Sequence, residues 1–322
     1  MRPVNQGWLE LFCGVSGKKD FRFVPEDVFY GVIERCLNNC NASGTQLEDK
    51  NNCRFYIPAE NQPETVLSFV RGVWFDGEMN PIPRLVAEDI LQKYNSDVVG
   101  KPTMGSCGGA NVVCFTRQAN RFVHTNDELT IDWVENCFEA YAIQKRLVQE
   151  PEVASFNPNS LNTCRIMTFR RPWNGKISVV AGMLRLGCGK EVVDNLAAGG
   201  VSVDISTDGS LAEFAVDHDF SKVEKHPVSH KSFSGFKIPY YGRMSSLCCA
   251  IAKRIPDFNL LSFDVIVKPD GTPCIIEVNA TSVTLAQLQT VRPLFGDETE
   301  QVVNWCAAHR DFDRFKHIRT WY

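Results

Sequence analysis

Residues 262–281 read SFDVIVKPDGTPCIIEVNAT, and this stretch decides the fold. Asp270-Gly271 is a strong turn signal between two β-branched runs, which predicts a hairpin over Ser262 to Asn279. A two-residue loop sets Pro269 against Thr272, and a four-residue loop sets Lys268 against Pro273. Either way Asp264 falls opposite Glu277. Period-two alternation then puts Phe263, Val265 and Val267 on one face with Cys274, Ile276 and Val278, ready to pack on a core. Asp264, Glu277 and Asn279 share the other face. Two carboxylates directly across a sheet repel each other. The arrangement makes sense with cations between them, and two carboxylates plus an amide oxygen are hard ligands suited to Mg²⁺ carried on phosphates.

Outward from the hairpin, the chain after Asn157 reads as strand and turn. Cys164 to Phe169 and Ile177 to Leu186 suit strands, Val201 to Ile205 and Leu211 to Val216 flank Thr207-Asp208-Gly209, and Ser245 to Arg254 and Glu298 to Ala308 suit helices. Upstream, Pro25 to Asn38 and Pro83 to Tyr94 have helical spacing, Asn39 to Asn52 reads as a loop, Val98 to Lys101 and Ala110 to Phe115 as strands, and Asp132 to Tyr141 as a helix. This is an α+β layout whose C-terminal sheet is largely antiparallel.

Composition narrows the class. The 322 residues hold 44% hydrophobic and 22% charged residues, which excludes a disordered or collagenous chain. Lys+Arg 34 against Asp+Glu 38 leaves a net charge of −4, so a generic electrostatic grip on nucleic acid is not expected. No apolar run approaches the roughly 18 residues of a membrane span, and the first residues do not read as a signal peptide. The 13 cysteines are irregularly spaced with no C-x-x-C pair, and read as small buried hydrophobes in a reducing cytoplasm.

Val99-Gly100-Lys101-Pro102 is followed by Gly105, Ser106, Gly108 and Gly109. A lysine ending a strand before a glycine-rich turn is a phosphate cradle, with Lys101 as a point charge and backbone N–H groups accessible to oxygens. The G-x-x-x-x-G-K spacing of a P-loop is absent.

With these pieces in order, the sequence resembles the ATP-grasp superfamily. Asp264 with IIEVN, ending in Glu277 and Asn279, is similar to its metal signature. Glu48-Asp49-Lys50 and YIPAENQPETV resemble the segment before the nucleotide-grasping lid, and YAIQKRL (Tyr141 to Leu147) the hinge strand that meets adenine. SLNTCRIMTF (160–169), RLG at Arg185, VVDNLAAGGVSVDI (192–205), His226-Pro227 and GFKIPYY (235–241) follow the order of the sugar-transfer-associated branch, which is similar to α-L-glutamate ligases and often accompanies surface-polysaccharide genes. Gln149-Glu150-Pro151 departs from it, since the branch more often has a Gln-His pair there, and this bears on the ribose contact.

The resemblance implies an ATP-grasp fold with an N-terminal α/β domain (1–95), a lid (96–145) and an antiparallel-sheet core (146–322). It implies ATP and two Mg²⁺ ions, the metal held by Asp264, Glu277 and Asn279. Nucleotide contacts fall to Lys50, Lys101, Ser106, Gly108, Gly109, Gln144, Lys145 and Leu147. Arg165, Arg185 and Asn195 take the catalytic roles, because guanidinium grips phosphate or carboxylate bidentately. The activity implied is amide-bond formation between a carboxylate and an amine through an acyl phosphate, on an amino acid, peptide or uronic-acid-type substrate, in a cytoplasmic protein with a homodimer as one possible assembly. A silent nucleotide-binding scaffold and a kinase are the alternatives. His226 is a candidate base, and Phe233, Phe236, Tyr240 and Tyr241 candidate acceptor-pocket residues.

Overall fold

The hairpin forms, with a turn that differs from both expected loops. In a computed structural model, Lys268 N donates to Thr272 O and Gly271 N to Lys268 O, so Pro269 to Gly271 make a three-residue turn with Gly271 at φ 80°. An odd loop shifts the register by one. The shift is undone by a bulge, because Val265 pairs with Ile275 whereas Asp264 pairs with Glu277, which leaves Ile276 as the extra residue. Asp264 therefore still faces Glu277. The core residue is Ile275 and not Ile276, and Cys274, opposite Ile266, lies off the main core cluster.

The structure describes residues 5–38, 46–105, 109–125, 127–189, 194, 196, 199–281 and 284–309. Every described strand pair is antiparallel, in two sheets. The first contains β1 (Thr65–Val70), β2 (Val73–Asp76), β3 (Pro81–Ile82), β4 (Val98–Pro102), β5 (Val113–Gln118), β6 (Arg121–His124), β7 (Asp127–Glu128) and β8 (Ala140–Lys145), in the order β3-β2-β1-β8-β4-β5-β6-β7. The second contains β9 (Cys164–Arg170), β10 (Ile177–Leu186), β11 (Val201–Ile205), β12 (Leu211–Val216), β13 (Lys222–Val223), β14 (Leu260–Val267) and β15 (Pro273–Asn279), in the order β13-β12-β11-β10-β9-β14-β15.

This partition departs from a division at residue 95. β1 to β3 bond into the same sheet as β4 to β8, because β8 inserts between β1 and β4 and pairs with both. Residues 6–38 pack instead on the second sheet. The run 26–38 is helical as expected, but with a π turn at Phe29–Ile33 between Glu26–Val28 and Glu34–Asn38. Phe29, Ile33 and Leu37 recur every four residues and bury against Met167, Phe169, Met183 and Leu260. Asn38 then locks this helix to the hairpin. Its Nδ2 donates to Leu260 O and Ala280 O, and its Oδ1 accepts from Asn259 N and Leu260 N.

The other face of the second sheet carries the largest core cluster, with Phe263, Val265, Val267, Ile275 and Val278 against the helix Tyr241–Arg254. The helix expected over 132–141 spans only Ile131–Cys137, and Tyr141 belongs to β8. Tyr141 is fully buried, and its ring lies over Gly100, where a Cβ would come within 2.5 Å of Oη. That close approach explains a glycine inside β4, next to Lys101.

Candidate functional site

Alternation along three strands builds the site. β9 turns Phe169 and Met167 into the apolar cluster beneath the 26–38 helix and ends that row in Arg165. β10 does the same with Ala181, Met183 and then Arg185. β14 runs Leu260, Ser262, Asp264. One sheet face thus changes from hydrocarbon to charge at a single level, and the register sets Glu277, Asp264 and Arg165 side by side on adjacent strands.

The contacts are dense. Arg165 grips Asp264 with two prongs, Nε to Oδ1 and Nη2 to Oδ2, each 2.8 Å. Arg185 Nη1 adds a third bond to Asp264 Oδ2 at 3.2 Å. Arg165 Nη1 donates to Thr284 Oγ1 at 2.7 Å. Burial alone would push the Asp264 carboxyl up, but the two guanidiniums outweigh it and hold it below the ordinary carboxylate value. Lys50 Nζ lies 3.2 Å from Glu277 Oε1. Lys101, on β4, is buried, and that burial, reinforced by the Lys50 charge and opposed by Glu277, holds its ammonium down to about 8.

Sequence reasoning passed over three residues here. Asp194, beside the nominated Asn195, is buried. Its Oδ1 is 2.8 Å from Arg185 Nη2, and its Oδ2 accepts from Thr163 N at 2.9 Å and from Thr163 Oγ1. Burial raises its pKa, with the Arg185 charge pulling the other way. Glu48 Oε1 accepts from Ala280 N, Thr281 N and Thr281 Oγ1, which fixes the chain leaving Asn279. Thr284 is the third. The DN pair and the Glu48-Asp49-Lys50 run were visible signals for the first two. Nothing local marks Thr284.

The nucleotide candidates divide. A cleft of about 990 Å³ is lined by Lys50, Lys145, Arg146, Leu147 and Val148 at the exit of β8, together with Thr65 and Lys268. Lys145 and Leu147 thus reach it, and Lys50 joins it to Glu277. Gln144 does not line it: this side chain is buried in the first sheet, its Nε2 donating to Thr65 Oγ1. Gly109 is partly exposed at φ 82°. Ser106, Gly108 and Asn195 lie outside the described residues.

Other candidates are accounted for by structure. His226 is fully buried; one ring nitrogen lies 3.0 Å from Gly187 O, and the other accepts from Ser229 N at 3.1 Å. Both nitrogens are occupied, so it is no free base. Phe233 and Tyr241 belong to the main core with Phe236 packed against them, and Tyr240 is exposed, so this cluster is not an acceptor pocket. Gln149 bonds both backbone groups of Asn162, and Glu150 caps the helix Pro151–Ala154 through Val153 N. Neither is left for a ribose.

Among the described residues no group of three His, Cys, Asp or Glu side chains is placed to hold a metal. The nominated set has two carboxylates and an amide. It fits a hard divalent cation in donor type, and Asn279 Nδ2 is buried with no partner, an unspent donor that a phosphate oxygen would satisfy. No helix among the described residues is long and apolar enough to cross a membrane.

A family model described as sugar-transfer associated ATP-grasp matches residues 47–302. The chain belongs to the sugar-transfer-associated ATP-grasp family. The match spans both sheets and every described candidate residue of this ATP-grasp chain. No curated protein matches it. Solved structures similar to it include an L-amino acid ligase from Bacillus licheniformis (12% identity, TM-score 0.41, covering 76% of this chain and 47% of that one). Also similar are the VanG D-Ala:D-Ser ligase from Enterococcus faecalis (11%, 0.44, 81% and 62%), and the ATP-grasp ligase PsnB complexed with precursor peptide PsnA2 and AMPPNP (11%, 0.44, 83% and 61%). The chain thus spans between 47% and 62% of the length of these relatives.

Proposed function

We propose that this protein is an ATP-dependent carboxylate–amine ligase that forms an amide through an acyl phosphate, releasing ADP and phosphate. The observation that carries the reading is the convergence of Arg165, Arg185, Lys50 and Lys101 on the opposed carboxylates Asp264 and Glu277. Four cations against three acids, with Asp194 as the third beside Arg185, leave a positive centre suited to a polyanion, and an ATP-grasp chain offers ATP as that polyanion. The sheet of residues 65–145 then serves as the lid, with the segment Lys145 to Val148 at the exit of β8 against the base and Lys50 and Lys101 toward the phosphates.

Asp264, Glu277 and Asn279 would hold magnesium, which supplies charge neutralisation for the phosphate oxygens. The remaining work falls to the chain. Arg165 and Arg185 stabilise negative charge as the γ-phosphoryl group passes to a carboxylate oxygen, a transfer that depends on positioning and electrostatics. Closure of the lid sheet over the nucleotide keeps water from the acyl phosphate before an amine displaces phosphate. An amino acid, peptide or uronic-acid-type substrate in polysaccharide or secondary-metabolite synthesis is the class we propose, in line with a family description that names sugar transfer alone.

Calorimetric titration with ATP and excess Mg²⁺, beside an EDTA control and Asp264→Asn, tests the site without knowledge of the substrate. Metal-dependent binding lost in the variant supports the reading. Free phosphate released with an amine and a carboxylate pool separates a ligase from a kinase, which leaves a phosphate ester. No binding under any condition leaves a silent scaffold.

A further inference from the structure

We infer that Asp194 is a positioning residue that anchors Arg185 so that its other guanidinium edge stays aimed at the reacting oxygens. Arg185 is held between two carboxylates, Nη2 on Asp194 at 2.8 Å and Nη1 on Asp264 at 3.2 Å. The two acids differ in how firmly they are fixed. Asp194 is itself tied down, because its second oxygen accepts both the backbone N–H and the hydroxyl of Thr163. Thr163 lies at the entry to β9, and its carbonyl accepts from Arg185 N, so the ring Thr163–Asp194–Arg185 closes on the sheet backbone. Asp264 already takes two bonds from Arg165 and is the acid nominated for the metal.

The consequence is an asymmetric grip. When Asp264 is drawn to a cation, Arg185 keeps its Asp194 bond, and Nη1 becomes available to a phosphate or carboxylate oxygen without the side chain having to be reordered. A guanidinium fixed along one edge loses less entropy on gripping an oxyanion with the other. Asp194 also lowers the charge of the centre by one, which lets two buried arginines lie beside two lysines.

The inference rests on the ATP reading of the site, and the test keeps the two apart. Binding of Mg·ATP and Mg·ADP is titrated calorimetrically in the wild type, Asp194→Asn, Arg185→Met and the double variant. Asp194→Asn keeps the shape and, with its amide oxygen toward Thr163, the Thr163 bonds, but sets an NH₂ donor against Arg185 Nη2 and so removes both the charge and the bond that hold Arg185. The expected result is that the preference for ATP over ADP falls about tenfold in Asp194→Asn, the size of one charge-assisted hydrogen bond. The double variant falls no further than Arg185→Met alone, because Asp194 acts through Arg185. Urea unfolding of the same four proteins supplies the ligand-free arm, with non-additive stabilities expected.

Additive stabilities overturn the inference, as does an unchanged ATP:ADP preference in Asp194→Asn when the wild type binds both. A wild type that binds neither nucleotide overturns the ATP reading and this inference with it. Should Asp194→Asn fail to fold, Thr163→Val takes its place. It removes one of the two bonds that aim Asp194, with a smaller fall in the same ratio expected and no fall counting against the role.

Discussion

Arg165 and Asp264 sit opposite each other on adjacent antiparallel strands and share a two-pronged ion pair, both bonds 2.8 Å, with both side chains about nine-tenths buried. Such a pair costs desolvation on both sides, and its net worth is small, but breaking it is expensive because one charge stays behind. Arg165→Met should therefore destabilise the protein by about 3 kcal/mol, the low end for a broken buried pair, because Arg185 Nη1 still reaches Asp264. Arg165→Met/Asp264→Leu should recover most of that loss, since Arg185 keeps Asp194 as its partner. Urea midpoints of the two variants decide it. Equal losses in both would mean that the pair contributes stability in its own right.

Glu277 behaves differently because it is less enclosed, with Lys50 as its near partner at 3.2 Å. Glu277→Gln keeps an oxygen for Lys50, so unfolding free energy should change by only about 1 kcal/mol. Nucleotide handling should suffer far more. Mg·ATP affinity should fall at least about tenfold, the weight of one lost charge-assisted ligand, and ADP formation should cease. Near-normal ADP formation in a folded Glu277→Gln protein would remove this residue from the metal set.

Much of this centre was legible because a sheet alternates. Asp264, Glu277 and Asn279 could be put on one face from spacing alone, and Arg165 and Arg185 continue rows that begin in Phe169 and Ala181. The three-residue turn and the bulge at Ile276 were not legible, because each shifts the parity by one and the two cancel. Ile276 and Ile275 exchanged roles as a result. The expected boundary at residue 95 falls inside the first sheet for another reason. Strand order depends on long-range pairing, and no local signal in Ala140–Lys145 says that it will lie between β1 and β4. The Asp194–Arg185 contact is of the same kind.

Lys101 gives a pH dependence whose sign is fixed. Burial, with Lys50 adding to it, holds its folded-state value down to about 8 against 10.5 for the free side chain. Between these values the unfolded chain binds more protons, so stability should rise with pH through that window, and the full penalty applies below 8. The shift corresponds to about 3 kcal/mol at most. Lys101→Met should be more stable than wild type at pH 7 and should lose the rise between pH 8 and 10. Unfolding curves at five pH values check this, and a wild-type stability that is flat across the window would show that the ammonium is solvated.

Thr284 holds the far end of Arg165 while in a left-handed conformation, φ 63° and ψ 55°, that a β-branched residue rarely adopts. Strain of this kind costs about 1–3 kcal/mol and persists where surrounding contacts impose it. Two substitutions separate the strain from the bond. Thr284→Ala loses the hydroxyl that accepts from Arg165 Nη1 and keeps the unfavourable φ, so it should destabilise by about 1.5–3 kcal/mol. Thr284→Gly loses the same bond but is at ease in the left-handed region, and should come out about 1 kcal/mol more stable than the alanine variant. Both should weaken Mg·ATP binding alike, since Arg165 loses the same tether in each. Equal urea midpoints for alanine and glycine would mean that the conformation at 284 carries no cost. A glycine variant that binds Mg·ATP as wild type does would mean that Arg165 needs no tether beyond Asp264.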